Sequence, residues 1–174
     1  MRSIYKLVVC SLLTLSITSC EKDLLDKEQY QKEIYLIGAY NRVWTTEVSY
    51  SNEEVKTYFT VSSSGTLALD RDVNVKMKIN EELVDIYNKK YWTVLNEDKY
   101  YKSLDTDLYS IPSLENTVIK HAEGISAEVP VLIKTASLKI DQSYVIPVEI
   151  ESTTGYPIST SGCKMLVLLK LKND

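Results

Sequence analysis

His121 is the only histidine in the sequence, so a metal centre built from several imidazoles is excluded. A mononuclear zinc site would have to recruit carboxylates and Cys163. His121 therefore reads as a surface-turn residue. Ser62-Ser63-Ser64-Gly65 lacks the Gly-x-Ser-x-Gly elbow of a nucleophilic serine, and no spacing ties it to His121 and an aspartate as a triad. The carboxylate pairs Glu53-Glu54 and Glu81-Glu82 could in principle supply the acid and base of a glycosidase. Their settings read instead as a solvated loop and the first turn of a helix. No glycine-rich phosphate loop is present. The expectation is a protein that is not an enzyme and carries no cofactor and no metal.

The aromatic residues carry more information. Thirteen tyrosines stand against one phenylalanine. Tyrosine packs as an aromatic while keeping one polar end, which suits half-exposed strands and binding surfaces alike. Tyr91-Trp92 and Tyr100-Tyr101 bracket a segment holding Asn96, Glu97, Asp98 and Lys99. Sugar rings stack their C–H faces on aromatic rings and need polar partners for their hydroxyls, and this stretch offers both. Trp92, Tyr100 and Tyr101 are the candidate ligand-binding residues, with Trp44 next. The alternative is that these aromatics plug one end of the fold or line a strand.

The amino terminus has its own chemistry. Arg2 and Lys6 precede an apolar run from Leu7 to Ile17, and Thr18-Ser19 puts small residues directly before Cys20. This is the layout of a secretory signal. The uncharged stretch is too short to span a bilayer comfortably. The terminal cysteine makes it resemble a lipoprotein signal peptide, with Ile17 where leucine is the commonest choice. That resemblance implies cleavage before Cys20 and acylation of its sulfur, palmitate included. Residues 1–19 are then the signal peptide, 20–32 a lipidated, charged tether and 33–174 the folded domain. Glu21 and Asp23 weakly resemble the acidic signals that send lipoproteins of Bacteroidetes-type bacteria to the cell surface. The expected address is the outer membrane, on the cell surface. With Cys10 removed and Cys20 acylated, only Cys163 is left in the domain, so no intrachain disulfide can form. Net charge is −4 for the whole sequence, and no basic patch stands out, which argues against nucleic acid as a partner.

Past residue 33 the pattern is that of strands. Val73, Val75, Met77 and Ile79 alternate with Asn74, Lys76 and Lys78, a half-buried strand. Shorter alternations occupy 42–50 and 56–62, and further strands are expected at 108–111, 117–120, 125–135, 143–151 and 164–172. Pro130 and Pro147 interrupt strand runs and point to edges or bulges. One segment breaks the rhythm. Asn80 can cap a helix over 81–90, whose acidic first turn and Lys89-Lys90 end match the helix dipole. Leu83, Ile86 and Tyr87 are expected to face the core. The predicted fold is all-β: an Ig-like antiparallel β-sandwich with one short helix crossing between its sheets.

Asp72-Val73 leading into Leu83-Val84-Asp85-Ile86-Tyr87-Asn88 resembles the core of the domain of unknown function 1735 family. Tyr109-Ser110-Ile111, Val118-Ile119 with Gly124 and Ser126-Ala127, Tyr144 to Ile150, and Met165 to Leu169 resemble its later strands. The likeness runs from Tyr58 to Leu171. Lys120-His121-Ala122-Glu123 is longer and more charged than the family's usual turn, and Pro130 replaces a strand residue. The resemblance implies an Ig-like sandwich on a surface lipoprotein, often placed N-terminal to carbohydrate-binding or glycosidase-like domains. It implies no catalytic residue, and the chain is expected to hold this domain nearly alone.

The function these readings favour is a non-catalytic, lipid-anchored cell-surface protein that assists glycan capture or the assembly of a glycan-uptake complex. Its expected partners are the membrane, a polysaccharide or oligosaccharide, and outer-membrane uptake proteins. The rival is a structural spacer or protein–protein adaptor that binds no sugar.

Overall fold

The computed structural model describes residues 27–92 and 94–172. Cys20 and the rest of the signal segment lie outside the described residues, as does the first part of the tether. The strands are β1 (Ile34–Leu36), β2 (Val43–Ser49), β3 (Glu54–Ser63), β4 (Val73–Ile79), β5 (Lys102–Ser103), β6 (Tyr109–Ser110), β7 (Thr117–Ile119), β8 (Ser126–Lys134), β9 (Tyr144–Thr153) and β10 (Lys164–Lys172). The helix α1 spans Glu82–Tyr91.

Two sheets face one another. One has the order β1-β3-β8-β6. The other runs β2-β10-β9-β4-β7, with β5 joined to β9. Period-two alternation explains why they pack. In β4 the residues Val73, Val75 and Met77 are buried while Asn74, Lys76 and Lys78 face solvent. Val129, Val131 and Ile133 of β8 and Phe59 and Val61 of β3 close the core from the other side. The pairing is mostly antiparallel. Two pairs are parallel: β2 with β10, Leu166 opposite Val43, and β5 with β9, Lys102 opposite Tyr144.

Proline sets the seam in β9. On one side that strand pairs β5 up to Val145 and β4 from Val148 onward. Pro147, which has no N–H to give, falls in the interval where the partner changes. Its carbonyl is taken by the Asn80 N–H at 3.0 Å.

The helix is present, and its placement and phase differ from the sequence expectation. Asn80 caps it, its Oδ1 accepting the Glu82 N–H at 3.2 Å. However, β4 and β5, which it connects, belong to the same sheet, so α1 lies on the outer face of the six-stranded sheet and not between the two. Val84 and Asn88 are the buried pair, Leu83 and Tyr87 flank them, and Ile86 is exposed. Val84 packs on Val145 and Leu166, which point outward from β9 and β10. Each fully buried side chain of this size contributes about 2 kcal/mol. That contact holds the helix down, and the phase follows from where these two outward residues sit.

Candidate functional site

The turn between β1 and β2 holds two residues in the left-handed region. Gly38 has φ 89°, in the left-handed region, and Arg42 has φ 63°, the only described non-glycine residue with positive φ. Between them Ala39–Asn41 forms one 3-10 turn, closed by Arg42 N–H to the Ala39 carbonyl at 2.8 Å. A Cβ on Gly38 would sit 2.6 Å from Cε3 of Trp44, so the indole lies directly against the turn. Ala39 is buried and anchors it, and the next side chain, Tyr40, is forced outward and is 88% exposed. The Arg42 carbonyl accepts from the Leu166 N–H at 2.8 Å, which ties the turn to β10.

A groove of about 290 Å³ opens beside this turn. Its walls come from three places: Tyr40 and Arg42 of the turn, Leu83, Ile86 and Tyr87 of α1, and the Thr160-Ser161 loop with the start of β10. A second hollow of about 230 Å³ is also lined by Tyr40 and Ser161. Tyr40 thus lines two hollows, and the larger one combines hydroxyls and cations with apolar side chains. The groove lining contains no carboxylate and no histidine. Lys164, at its rim, pairs with Glu149 at 3.3 Å, and Glu149 also accepts from Asn80 Nδ2 at 2.5 Å. These donors hold the Glu149 carboxyl below its ordinary range although burial pushes it upward.

The residues singled out in the sequence lie nearby but do not converge. Trp92 follows α1 in extended conformation, half-buried, with Nε1 shielded from solvent and unpartnered. The Lys99 ammonium lies 5.7 Å from its ring. Tyr100 is half-buried, and its N–H goes to the Glu97 carbonyl at 3.1 Å. Tyr101 stacks on Tyr87, ring centroids 5.3 Å apart and 12° from parallel, and Tyr87 meets Tyr91 at 4.5 Å. Tyr101 is therefore brought to Tyr87, and among the described residues no ring contact joins Trp92, Tyr100 and Tyr101. Burial, with Tyr101 beside it, pushes the Tyr87 hydroxyl up to about 12, so it stays neutral. This tyrosine ladder backs the groove through Tyr87.

His121 sits exposed on its turn, Nδ1 2.6 Å from Asp72 Oδ1, and Cys163 is a half-exposed free thiol. Tyr40, Arg42, Thr160 and Ser161 were not singled out in the sequence. The available signal was Gly38 and Asn41, two turn-forming residues flanking an aromatic between two strand patterns.

A family model of an N-terminal domain matches residues 30–157, most of the chain. The structure is similar to a multidomain protein from Bacteroides ovatus that includes the domain of unknown function 1735. The two share 18% identity over 77% of this chain and 41% of that one, with a TM-score of 0.59. This chain belongs to the DUF1735 family. Other solved structures from Bacteroides share the fold. One from Bacteroides ovatus, provisionally described as a carbohydrate binding protein, has 18% identity over 79% of this chain and 36% of its own, TM-score 0.60. An auxiliary nutrient binding protein from Bacteroides thetaiotaomicron has 14% identity over 79% and 46%, TM-score 0.59. At these identities the likeness is one of fold, and the chain spans less than half the length of each. No curated protein matches the sequence. No helix among the described residues is long and apolar enough to cross a membrane.

Proposed function

We propose that this DUF1735 domain is a non-catalytic, cell-surface lipoprotein, anchored through Cys20, that assists glycan capture in an uptake complex. The observation that carries the reading is Tyr40: an aromatic ring forced into solvent by a strained, well-anchored turn, and lining two hollows. Such a ring offers a flat face to a sugar, and the Thr160, Ser161 and Arg42 side chains offer hydrogen bonds to its hydroxyls. The tyrosine ladder behind Tyr87 stiffens the opposite wall. A groove lined without carboxylates or histidine favours binding over hydrolysis. The carbohydrate-binding and nutrient-binding descriptions of two similar structures support the same direction.

The test is a glycan panel against purified residues 21–174, read by calorimetry. Saturable binding that weakens roughly tenfold in Tyr40→Ala, with an unchanged melting temperature, is the expected result. Silence across the panel from folded protein would leave the structural spacer or adaptor, and release of product would make it a hydrolase.

A further inference from the structure

We propose that the groove beside Tyr40 selects acidic saccharides, with the Arg42 guanidinium holding the carboxylate of a uronic acid while Tyr40 stacks on the ring. The proposal deepens the glycan-capture reading and rests on it.

Three observations lead here. The groove lining holds two cations, Arg42 and Lys164, and no acidic residue, on a chain whose net charge is −4. A local positive site on an acidic protein is the arrangement that concentrates an anionic ligand against the background field. Lys164 already shares its charge with Glu149. Arg42, part of the groove lining, makes no ion pair and no side-chain hydrogen bond among the described residues, so none of its five donors is claimed by them.

The backbone beneath Arg42 is the third. Both its peptide groups are pinned, N–H to Ala39 and carbonyl to Leu166, each at 2.8 Å. Its φ of 63° is one that glycine adopts freely and a side chain adopts at a cost. An arginine held there projects from a fixed Cα, and its planar fork matches a carboxylate through two parallel N–H···O bonds. A lysine at the same place would supply only a point charge.

The experiment measures affinity for oligogalacturonates and oligoglucuronates, for the same oligomers after reduction of C6 to the alcohol, and for sulfated neutral oligomers. The acidic forms are expected to bind roughly tenfold more tightly than their reduced counterparts. Arg42→Gly, which relieves the left-handed strain and so keeps the turn, should erase that difference without lowering the melting temperature. Arg42→Lys should restore only part of it. Lys56→Gln, which removes a charge from an exposed position on the other sheet, should change nothing. Equal affinity for acidic and reduced oligomers overturns the proposal and leaves glycan capture standing. Preference for sulfate over carboxylate overturns the uronic-acid assignment. Absence of binding to all three sets, in a panel where other neutral glycans bind, overturns it too. If no glycan binds at all, the capture reading falls with it.

Discussion

The Asn88 side chain holds the backbone of Tyr101 at both of its polar groups: Nδ2 donates to the carbonyl at 2.9 Å, and Oδ1 accepts from the N–H at 3.0 Å. Asn88 is 4% exposed on the underside of α1. It substitutes for a missing neighbouring strand, and it sets where Tyr101 stacks on Tyr87. Removing it leaves two partly buried backbone groups without partners. Asn88→Ala should lower stability by about 2 kcal/mol, measured as a shift of the urea midpoint at constant slope. Asn88→Asp keeps the acceptor but sets a buried carboxylate oxygen against the Tyr101 carbonyl, so at neutral pH it should cost at least as much.

Gly38 is the second lever on the site. Gly38→Ala drives a methyl group against the Trp44 ring and adopts φ near 89°, so it should cost about 1–3 kcal/mol. Because the strain falls on the turn that presents Tyr40 and Arg42, any ligand affinity of the groove should drop with it. Thermal unfolding and calorimetry on the same sample check both halves. An unchanged melting temperature would mean that Trp44 gives way freely.

The end of the expected tether is already fastened to the domain. Glu28 accepts from the Thr66 N–H at 2.7 Å and the Thr66 hydroxyl at 2.9 Å, and pairs with Lys32 at 2.5 Å. Lys32 in turn donates to the Leu67 carbonyl. The ion pair first, then the Thr66 N–H, pulls the Glu28 carboxyl from 4.5 to about 2. Its folded value is depressed, so its stabilising effect is complete above the ordinary carboxylate range and fades as pH falls through about 4.5 toward 2. Between pH 6 and 8 the clasp should not respond. Glu28→Ala should expose residues 27–33 to limited proteolysis at neutral pH, and wild type should show the same cleavage only near pH 2, with an acid-active protease.

Trp92 differs from Tyr40 in burial, and the two substitutions should separate accordingly. Trp92→Ala removes a half-buried ring and should cost about 2 kcal/mol of stability while changing groove affinity less than about threefold. Tyr40→Ala should do the reverse. A large loss of affinity in a folded Trp92→Ala would return the binding face to the segment around Trp92, Tyr100 and Tyr101.

The anchor is tested through Cys20. Cys20→Ala should abolish incorporation of labelled palmitate and release the protein from the outer-membrane fraction. Normal labelling of that variant would move the acylation elsewhere. Protease accessibility on intact cells then reads whether the domain faces outward.

Where a pattern is local, the sequence alone was enough. The alternation of Val73, Val75 and Met77 with Asn74, Lys76 and Lys78 is a property of one strand, and it defines one buried face whatever lies opposite. Asn80 ahead of an acidic first turn marks a helix start from residues that touch each other. The DUF1735 likeness rests on runs of this kind. Tertiary structure decided everything that depends on which distant segments meet. The parallel pairing of β2 with β10 carries Arg42 to Leu166 and so brings Tyr40 alongside Ser161, more than a hundred residues away. No periodicity within either strand encodes that register. The helix phase was also out of reach: Leu83, Ile86 and Tyr87 make as good a stripe in isolation as Val84 and Asn88. Over ten residues, intrinsic periodicity is too weak to choose. The choice fell to Val145 and Leu166, the two outward-facing residues that the helix had to cover.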